Sequence, residues 1–271
     1  MSSSISLTAS ARANLLSLQQ TSSLLDQTQN RLSTGKKVNS ASDNATAYFA
    51  SQGFLNSADN FSTVKDSLGT SLQTIKAASN AIDSIIATVK QAQGLATSAL
   101  QSTDTTVRAG LATQFNGLLD QINGLVTDAT FNGTNLLQST ASLTVNFDAA
   151  GTTKLTVAGV SLNATGLSLT QAVSGWAGAT QINASSTLLQ TALTTLQTNS
   201  ASFGTNSTII QNREDYTSNL IDVLQTASDN LVLADTNEEG ANLQALQARL
   251  QLGVTALGIS GQETQAILKL F

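Results

Sequence analysis

The chain has 271 residues, a formal net charge of −5 at pH 7, and no histidine, cysteine or proline. Without histidine and cysteine there is no Ser-His-Asp or Cys-His catalysis, no disulfide and no ordinary zinc site. An enzyme would have to rely on carboxylates, lysine, tyrosine or a bound group, so we expect no catalytic site, no metal and no cofactor. The acidic balance also argues against nucleic acid as a partner.

The composition favours helices that pack along narrow seams. Hydrophobic residues make up 41% of the chain but aromatic residues only 4%, and the absence of proline leaves helices uninterrupted. No run of about 18 apolar residues occurs, so we expect no membrane span. The first residues, MSSSISLTAS, lack a basic segment followed by an apolar core, so we expect no classical signal peptide.

The first segment carries apolar or small residues at alternating steps of three and four, which is the heptad spacing of a coiled coil. These positions are Thr8, Ala11, Leu15, Leu18, Ser22, Leu25, Gln29 and Leu32. Two further periodic segments predict long helices over residues 44–100 and 104–128, and Asp104 is expected to cap the second of these.

The middle of the chain changes character. Residues 143–147 alternate apolar and polar side chains as a half-buried strand does, residues 148–151 read as a turn, and the following apolar residues predict return strands. Those residues are Leu155, Val157, Val160 and Leu162. We interpret Trp176 as the anchor of a small β core, with a sugar-stacking platform as the alternative.

Helical periodicity then returns, with a looser stretch around Gly204, and the last segment again shows heptad spacing. Its positions are Leu243, Leu246, Leu250, Gly253, Leu257, Ser260, Thr264, Ile267 and Phe271. We predict a mainly α fold: a long antiparallel helical bundle or coiled coil formed by both chain ends, with a small β-hairpin module inserted in the middle. The predicted divisions are residues 1–40, 41–138, 139–185, 186–233 and 234–271.

Pairing the two ends leaves other apolar positions uncovered, namely Leu7, Leu16, Leu24, Leu252, Leu268 and Leu270. Burial of such side chains against neighbouring copies, at about 1.5 kcal/mol each, favours assembly. A contact of this kind that repeats without closing generates a filament. The alternative is a self-contained bundle whose seams are all internal.

Four motifs resemble those of flagellins, and specifically the short-insertion flagellins of alphaproteobacteria. Residues 30–45 read NRLSTGKKVNSASDNA, residues 131–137 read FNGTNLL, and residues 211–213 read QNR. The fourth is the C-terminal pattern Ala234, Asp235, Glu238, Ala241, Leu243, Gln247, Gln251, Gly253, Leu257 and Gln262. The resemblance covers residues 1–138 and 186–271, and implies a structural subunit rather than an enzyme.

In flagellins the terminal helices form an inner tube and the long helices a surrounding shell. The resemblance therefore implies that the polymerisation residues are Leu7, Leu15, Leu18, Leu25, Arg31, Leu32, Leu243, Leu246, Leu250, Leu257, Ile267 and Leu270. It also implies a spoke between inner and outer helices, for which we select Asn30, Gly35, Asn39, Ser40 and Asp43. Gly35 suits a left-handed helix end, and Arg31 and Asp43 are candidates for a pair across subunits, although a solvated turn is the alternative.

The resemblance further implies export without a cleaved signal, an extracellular location in the flagellar filament and a role in motility. The implied partners are other copies of the chain, an export chaperone, a filament cap and junction proteins. An innate immune receptor binds many flagellins through an arginine on the long helix. The corresponding residues 85–99 carry Lys90 and no arginine, which disfavours that interaction.

Two other functions compete with the filament subunit. A hook–filament junction protein has similar ends, and a flagellin-like surface protein that captures polysaccharide is a binding-module alternative. Glu238 and Glu239, close to Asp235, are a candidate cation site, but acidic residues at the start of a helix more often complement its dipole.

Overall fold

The structure, a computed structural model, describes residues 9–268 and the side chains of residues 9–263. The helices are α1 (Ala9–Thr34), α2 (Ala45–Gln101), α3 (Thr105–Asp128), α4 (Ala179–Val232) and α5 (Thr236–Leu268), and the strands are β1 (Ser142–Asn146) and β2 (Lys154–Ala158). The predicted fold class, mainly α with a small β-hairpin, is confirmed. None of the described helices is long and apolar enough to cross a membrane.

The chain divides into two compact units. The terminal unit contains the residues up to Ser57 and from Val223 onward, and the central unit contains Ala58–Asp222. Helices α2 and α4 contribute residues to both units. Each unit is described separately below.

Polar side chains cap the helices where the sequence predicts that they begin. Asp104 Oδ1 accepts a hydrogen bond of 2.7 Å from the Thr106 amide at the start of α3. Asn44 Oδ1 accepts one of 3.1 Å from the Ala47 amide at the start of α2. Such bonds satisfy amides that have no partner within the helix.

Helix α4 is continuous through Gly204, so the predicted loose stretch there is wrong. Phe203 and Ile210 on either side are 3% and 0% exposed, and their burial holds the helix in place. Thr205 and Thr208 donate their hydroxyls to carbonyls four residues earlier, at 3.0 Å each. Tertiary packing therefore outweighs the low helix propensity of glycine and threonine. The helix begins at Ala179, and its first turns join the core through the buried Ile182 and Ser185.

The core of the central unit lies between α2, α3, α4 and the residues that follow α3. Its largest fully buried side chains are Leu68, Ile75, Ile82, Ile85, Phe115, Ile122, Leu136, Leu137, Leu162, Trp176, Ile182 and Leu189. The members of this set on α2 and α3 recur at helical spacing. This periodicity explains why the sequence predicts the bounds of both helices to within about a residue.

The FNGT part of the second motif forms a tight turn after α3. Asn132 and Gly133 both have positive φ, 47° and 76°, as a two-residue turn of type I′ requires. Asn135, only 7% exposed, then donates from its amide nitrogen to the Val126 carbonyl at 2.7 Å and accepts from the Leu137 amide at 2.9 Å. The motif thus ends α3 and fixes the following chain against it.

The two strands β1 and β2 form a single antiparallel hairpin in which Ser142 pairs with Ala158 and Asn146 with Lys154. The prediction that Val160 and Leu162 extend the return strand is wrong. A side chain at Gly159 would lie 2.2 Å from the Gln138 carbonyl oxygen, so the chain passes tightly there. Val160 then donates its amide to the Leu136 carbonyl at 2.9 Å, away from the hairpin ladder.

The hairpin turn is held by Asp148. Its carboxylate accepts the Thr152 amide at 2.8 Å, the Thr153 amide at 3.0 Å and the Thr153 hydroxyl at 2.9 Å, together with the Thr152 hydroxyl. The Thr152 hydroxyl, followed by the Thr153 groups, holds the pKa of Asp148 far below its usual value of 3.8.

Trp176 is a core anchor, but it packs on helices rather than on a separate β core. Its side chain is fully buried, and its ring centroid lies 4.8 Å from that of Phe115 on α3. Its Nε1 donates to the Ser185 hydroxyl on α4 at 3.1 Å. Because no face of the indole is open, the sugar-stacking alternative is wrong for this residue.

Candidate assembly interface at the chain ends

The described terminal residues form an antiparallel pair of helices. Leu18 of α1 lies against Gly253 of α5, and Arg31 of α1 contacts Glu239 of α5. The two helices therefore run in opposite directions. The predicted pairing of the two chain ends is present.

The seam on α5 follows the heptad positions that the sequence predicts. The buried or half-buried positions there are Leu243, Leu246, Leu250, Gly253, Leu257 and Ser260. The neighbouring Leu252 and Val254 are 70% and 58% exposed. The apolar stripe of α5 is thus narrow, as in a coiled coil.

The seam on α1 differs from the prediction at every second position. Its buried or half-buried residues are Ala11, Asn14, Leu18, Thr21, Leu25, Thr28 and Arg31. The assignment of Leu15, Ser22, Gln29 and Leu32 to this stripe is wrong, since all four are exposed. Ala11, Leu18 and Leu25 belong to both possible heptad patterns. The structure adopts the pattern in which the intervening seam positions are the polar residues Asn14, Thr21 and Thr28.

The two helices approach each other closely at Gly253. A Cβ atom there would lie 3.1 Å from Leu18 Cγ, a separation at which one of the two side chains must shift. Glycine therefore sets the distance between the helices at this point. By contrast, a Cβ at Gly258 on the same helix would meet no atom within 4 Å.

Large apolar side chains remain outside the seam on both helices. Leu16 and Leu24 on α1 are 57% and 49% exposed, and Ile259 on α5 is 55% exposed. Leu15 and Leu32 are also exposed. Of the other selected residues, Leu7 and Leu270 lie outside the described residues, as does the side chain of Ile267.

The spoke after α1 is fixed to the segment that joins α4 and α5. Gly35 has φ +68°, which lets the chain leave the helix. Its carbonyl accepts from the Ala234 amide at 2.9 Å, and the Lys37 amide donates to the Val232 carbonyl at 2.7 Å. Val38 and Val232 are both buried. The spoke therefore connects the start and the end of the chain.

Asp43 organises the exposed part of the spoke. One of its carboxylate oxygens accepts the amides of Asn39 and Ser40, each at 2.9 Å, and the Ser40 hydroxyl at 3.2 Å. The amides of Asn39 and then Ser40 lower the pKa of Asp43 below 3.8, with a smaller contribution from Arg31. Asn39 also donates to the Lys36 carbonyl at 3.2 Å. Asn30 contributes through its carbonyl, which accepts the Thr34 hydroxyl at 2.8 Å.

Arg31 is paired inside the chain with Glu239, a residue for which the sequence offers only a cation site or a helix-start acid. Arg31 Nη1 donates to Glu239 Oε1 at 3.0 Å, and the side chains are 31% and 9% exposed. Asp235, not Glu239, caps α5: its Oδ1 accepts the Asn237 amide at 2.8 Å. A buried partner for Arg31 has no local sequence signal, since the two residues lie at opposite ends of the chain.

The acidic residues at the start of α5 do not form a metal site in this structure. Among the described residues, no group of three or more potential ligands is placed so that it could hold a metal ion.

Comparison with known proteins agrees with the four motifs. Residues 5–142 match the family model for the bacterial flagellin N-terminal helical region. The chain is 35% identical over 278 residues to flagellin FljM of Caulobacter vibrioides, covering 99% of this chain and 98% of that one. It is 30% identical over 279 residues to a flagellin of Brucella melitensis, covering 99% of each. The crystal structure of Bacillus cereus flagellin has a TM-score of 0.50 at 18% identity, covering 56% of this chain and 88% of that one, and shows a shared fold.

The contact at Gly253 predicts different effects of two matched substitutions. Gly258→Ala should stabilise α5 by about 0.5–1 kcal/mol, because alanine loses less backbone entropy than glycine in a helix. Gly253→Ala should lose that gain, because its methyl group meets Leu18. Thermal unfolding followed by far-ultraviolet circular dichroism measures both. An equal rise in melting temperature for the two variants would contradict the close α1–α5 contact.

The bonds to Asp43 predict a pH dependence of the spoke. Because the pKa is lowered on folding, the stabilisation is fully present above the ordinary value of 3.8 and is lost as pH falls through the folded value. The NMR amide proton shifts of Asn39 and Ser40 should titrate together with a midpoint below 3.8. Asp43→Asn should abolish this titration, and Asp26→Asn, at an exposed position of α1, should not. A midpoint at or above the ordinary value would count against the described bonds.

Proposed function

Because the chain belongs to the flagellin family and is a structural subunit of the bacterial flagellar filament, we propose that its paired terminal helices α1 and α5 drive polymerisation. The observation that carries this proposal is the set of large apolar side chains that α1 and α5 leave uncovered when they pair. In the proposed filament these side chains are buried between neighbouring copies, outside the cell.

Exposed leucines at these positions are costly for an isolated chain and useful for an assembling one. Leu16, Leu24 and Leu252 are 57%, 49% and 70% exposed. Burial of each against a neighbour contributes about 1.5 kcal/mol, part of which is lost to the entropy of association. A modest contribution per copy is sufficient when the same contact repeats along a lattice.

The proposed polymerisation set keeps the residues selected from the sequence, including those on the seam. Leu18, Leu25, Leu243, Leu246, Leu250 and Leu257 act by holding α1 and α5 together, while Leu15 and Leu32 are exposed for contact between copies. In this proposal residues 1–40 and 234–271 form the inner part of the filament. Residues 41–138 and 186–233 form the surrounding shell, and residues 139–185 face outward.

Proteins other than the subunit itself complete the proposal. Export of the chain and growth at the filament tip call for a chaperone, a cap and junction proteins. Exposed apolar side chains on α5, such as Leu252 and Ile259, suit a chaperone that covers them before assembly, since exposed apolar patches mark interaction sites.

The proposal is tested by electron microscopy of purified protein grown from filament fragments, beside a version that lacks residues 1–32 and 240–271. We expect long tubes from the intact chain and none from the trimmed chain, because the trimmed chain lacks nearly all of α1 and α5. Short rings from the intact chain would support a junction protein instead. Tubes from the trimmed chain would show that the terminal helices are not the polymerisation elements.

A single substitution tests the exposed leucines directly. Leu252→Ser should raise the critical concentration for seeded growth about tenfold, since the lost burial corresponds to about 1.4 kcal/mol or more. The matched control is Val173→Ser, at a 60% exposed position of the central unit that is not on a terminal helix. The control should grow like the unmodified chain. Equal growth of the Leu252→Ser variant would remove Leu252 from the interface.

A further inference from the structure

One oxygen of the buried ion pair in the terminal unit lacks a partner. Glu239 is 7% exposed, and its Oε1 accepts from Arg31. Its Oε2 is closed from solvent and has no hydrogen-bond donor among the described residues. A buried carboxylate oxygen without a donor is costly, so the isolated chain leaves this site incomplete.

The surroundings of the pair are open and carry an excess of negative charge. A cavity of about 320 Å³ lies on one side, lined by the acidic residues Asp43, Asp235, Glu238 and Glu239 and by the cations Arg31 and Lys37. A second cavity of about 300 Å³ is also lined by Arg31 and Glu239, together with Arg249. The two cavities thus bring four carboxylates against three cations, an excess of negative charge that favours one more cation at this place.

An exposed cation, Arg12, lies near the opposite end of α1 from Arg31. Arg12 on α1 is exposed and makes no hydrogen bond or ion pair with the rest of the described chain. Residues 12 and 31 are separated by about 28 Å along α1, at about 1.5 Å per residue. That separation exceeds the reach of an arginine side chain, so Arg12 cannot reach Glu239 of its own chain.

We propose that, in the filament, the guanidinium of Arg12 from a second copy of this chain enters the acidic cavity and donates to the free oxygen of Glu239. This inference rests on the proposed filament function. A planar guanidinium suits the site because it donates several hydrogen bonds to carboxylates in fixed directions. An acidic site near one end of α1 and a basic side chain near the other give a head-to-tail contact, the kind that repeats without closing.

The pairing is tested by a double-mutant cycle on the critical concentration for seeded growth of the full chain. Glu239→Gln and Arg12→Gln should each raise it about tenfold, and the double variant should raise it about tenfold rather than about a hundredfold, because both remove one contact. Lys76→Gln is the control, since Lys76 is an exposed cation of the central unit, and its effect should add to that of Glu239→Gln. Arg249→Gln tests the rival partner, because Arg249 lines the second cavity together with Glu239. Circular dichroism of each monomer checks that the variants fold alike.

Cross-linking gives a second measurement, which reports the proximity of the two positions rather than the energetic coupling between them. Because the chain has no cysteine, Arg12→Cys and Glu238→Cys chains can be mixed, and a short bismaleimide then joins only engineered positions. Filaments should yield the 12–238 cross-link, identified by mass spectrometry, and monomers should not. Lys76→Cys, at an exposed position of the central unit, in place of Arg12→Cys should give no such product.

The outcomes separate this inference from the proposed function. If the unmodified chain grows into filaments but the effects of Arg12→Gln and Glu239→Gln simply add, the pairing is wrong. Coupling of Glu239 to Arg249 in place of Arg12 would also overturn it. If the unmodified chain does not form filaments at all, the function proposed above fails first.

Discussion

The antiparallel pairing of α1 with α5 is the contact on which the terminal unit depends. It brings together residues from opposite ends of the chain, and the spoke and the start of α5 are positioned by it. Arg31 reaches Glu239 only because the two helices run side by side. Gly253 fixes how closely they approach. The same pairing decides which leucines face inward and which remain exposed.

The sequence located the long helices well but could not fix the details of the seam. Helix α2 was predicted over residues 44–100 and observed over Ala45–Gln101, because its buried face is periodic and its start is capped by Asn44. On α1, by contrast, Leu15 and Asn14 compete for one seam position. Hydrophobicity favours leucine, yet the structure buries Asn14 more than Leu15, because two closely packed helices accept small polar side chains between them. The prediction missed this because the sequence does not give the distance between the helices.

The other differences have a similar origin in contacts that are distant in sequence. The sequence pattern predicts a strand at Val160, but the backbone at Gly159 passes close to the Gln138 carbonyl and the strand ends before it. The sequence pattern predicts an interruption of the helix at Gly204, but the burial of Phe203 and Ile210 keeps the helix continuous. Glu239 looks like an ordinary helix-start acid, and only the fold places it beside Arg31. Local patterns therefore predict elements, whereas the partners of individual polar residues follow from topology.

The composition of the α1–α5 seam suits a filament subunit. A seam of leucine at every heptad position would satisfy both helices within one chain and would leave little free energy to gain from neighbours. Here Asn14, Thr21 and Thr28 occupy inward positions, while Leu16, Leu24 and Leu252 are exposed. Part of the apolar surface of the two helices is thus left outside the intramolecular contact, where the proposed polymerisation requires it. In the proposed filament the same two helices therefore supply both the intramolecular seam and the contacts between copies.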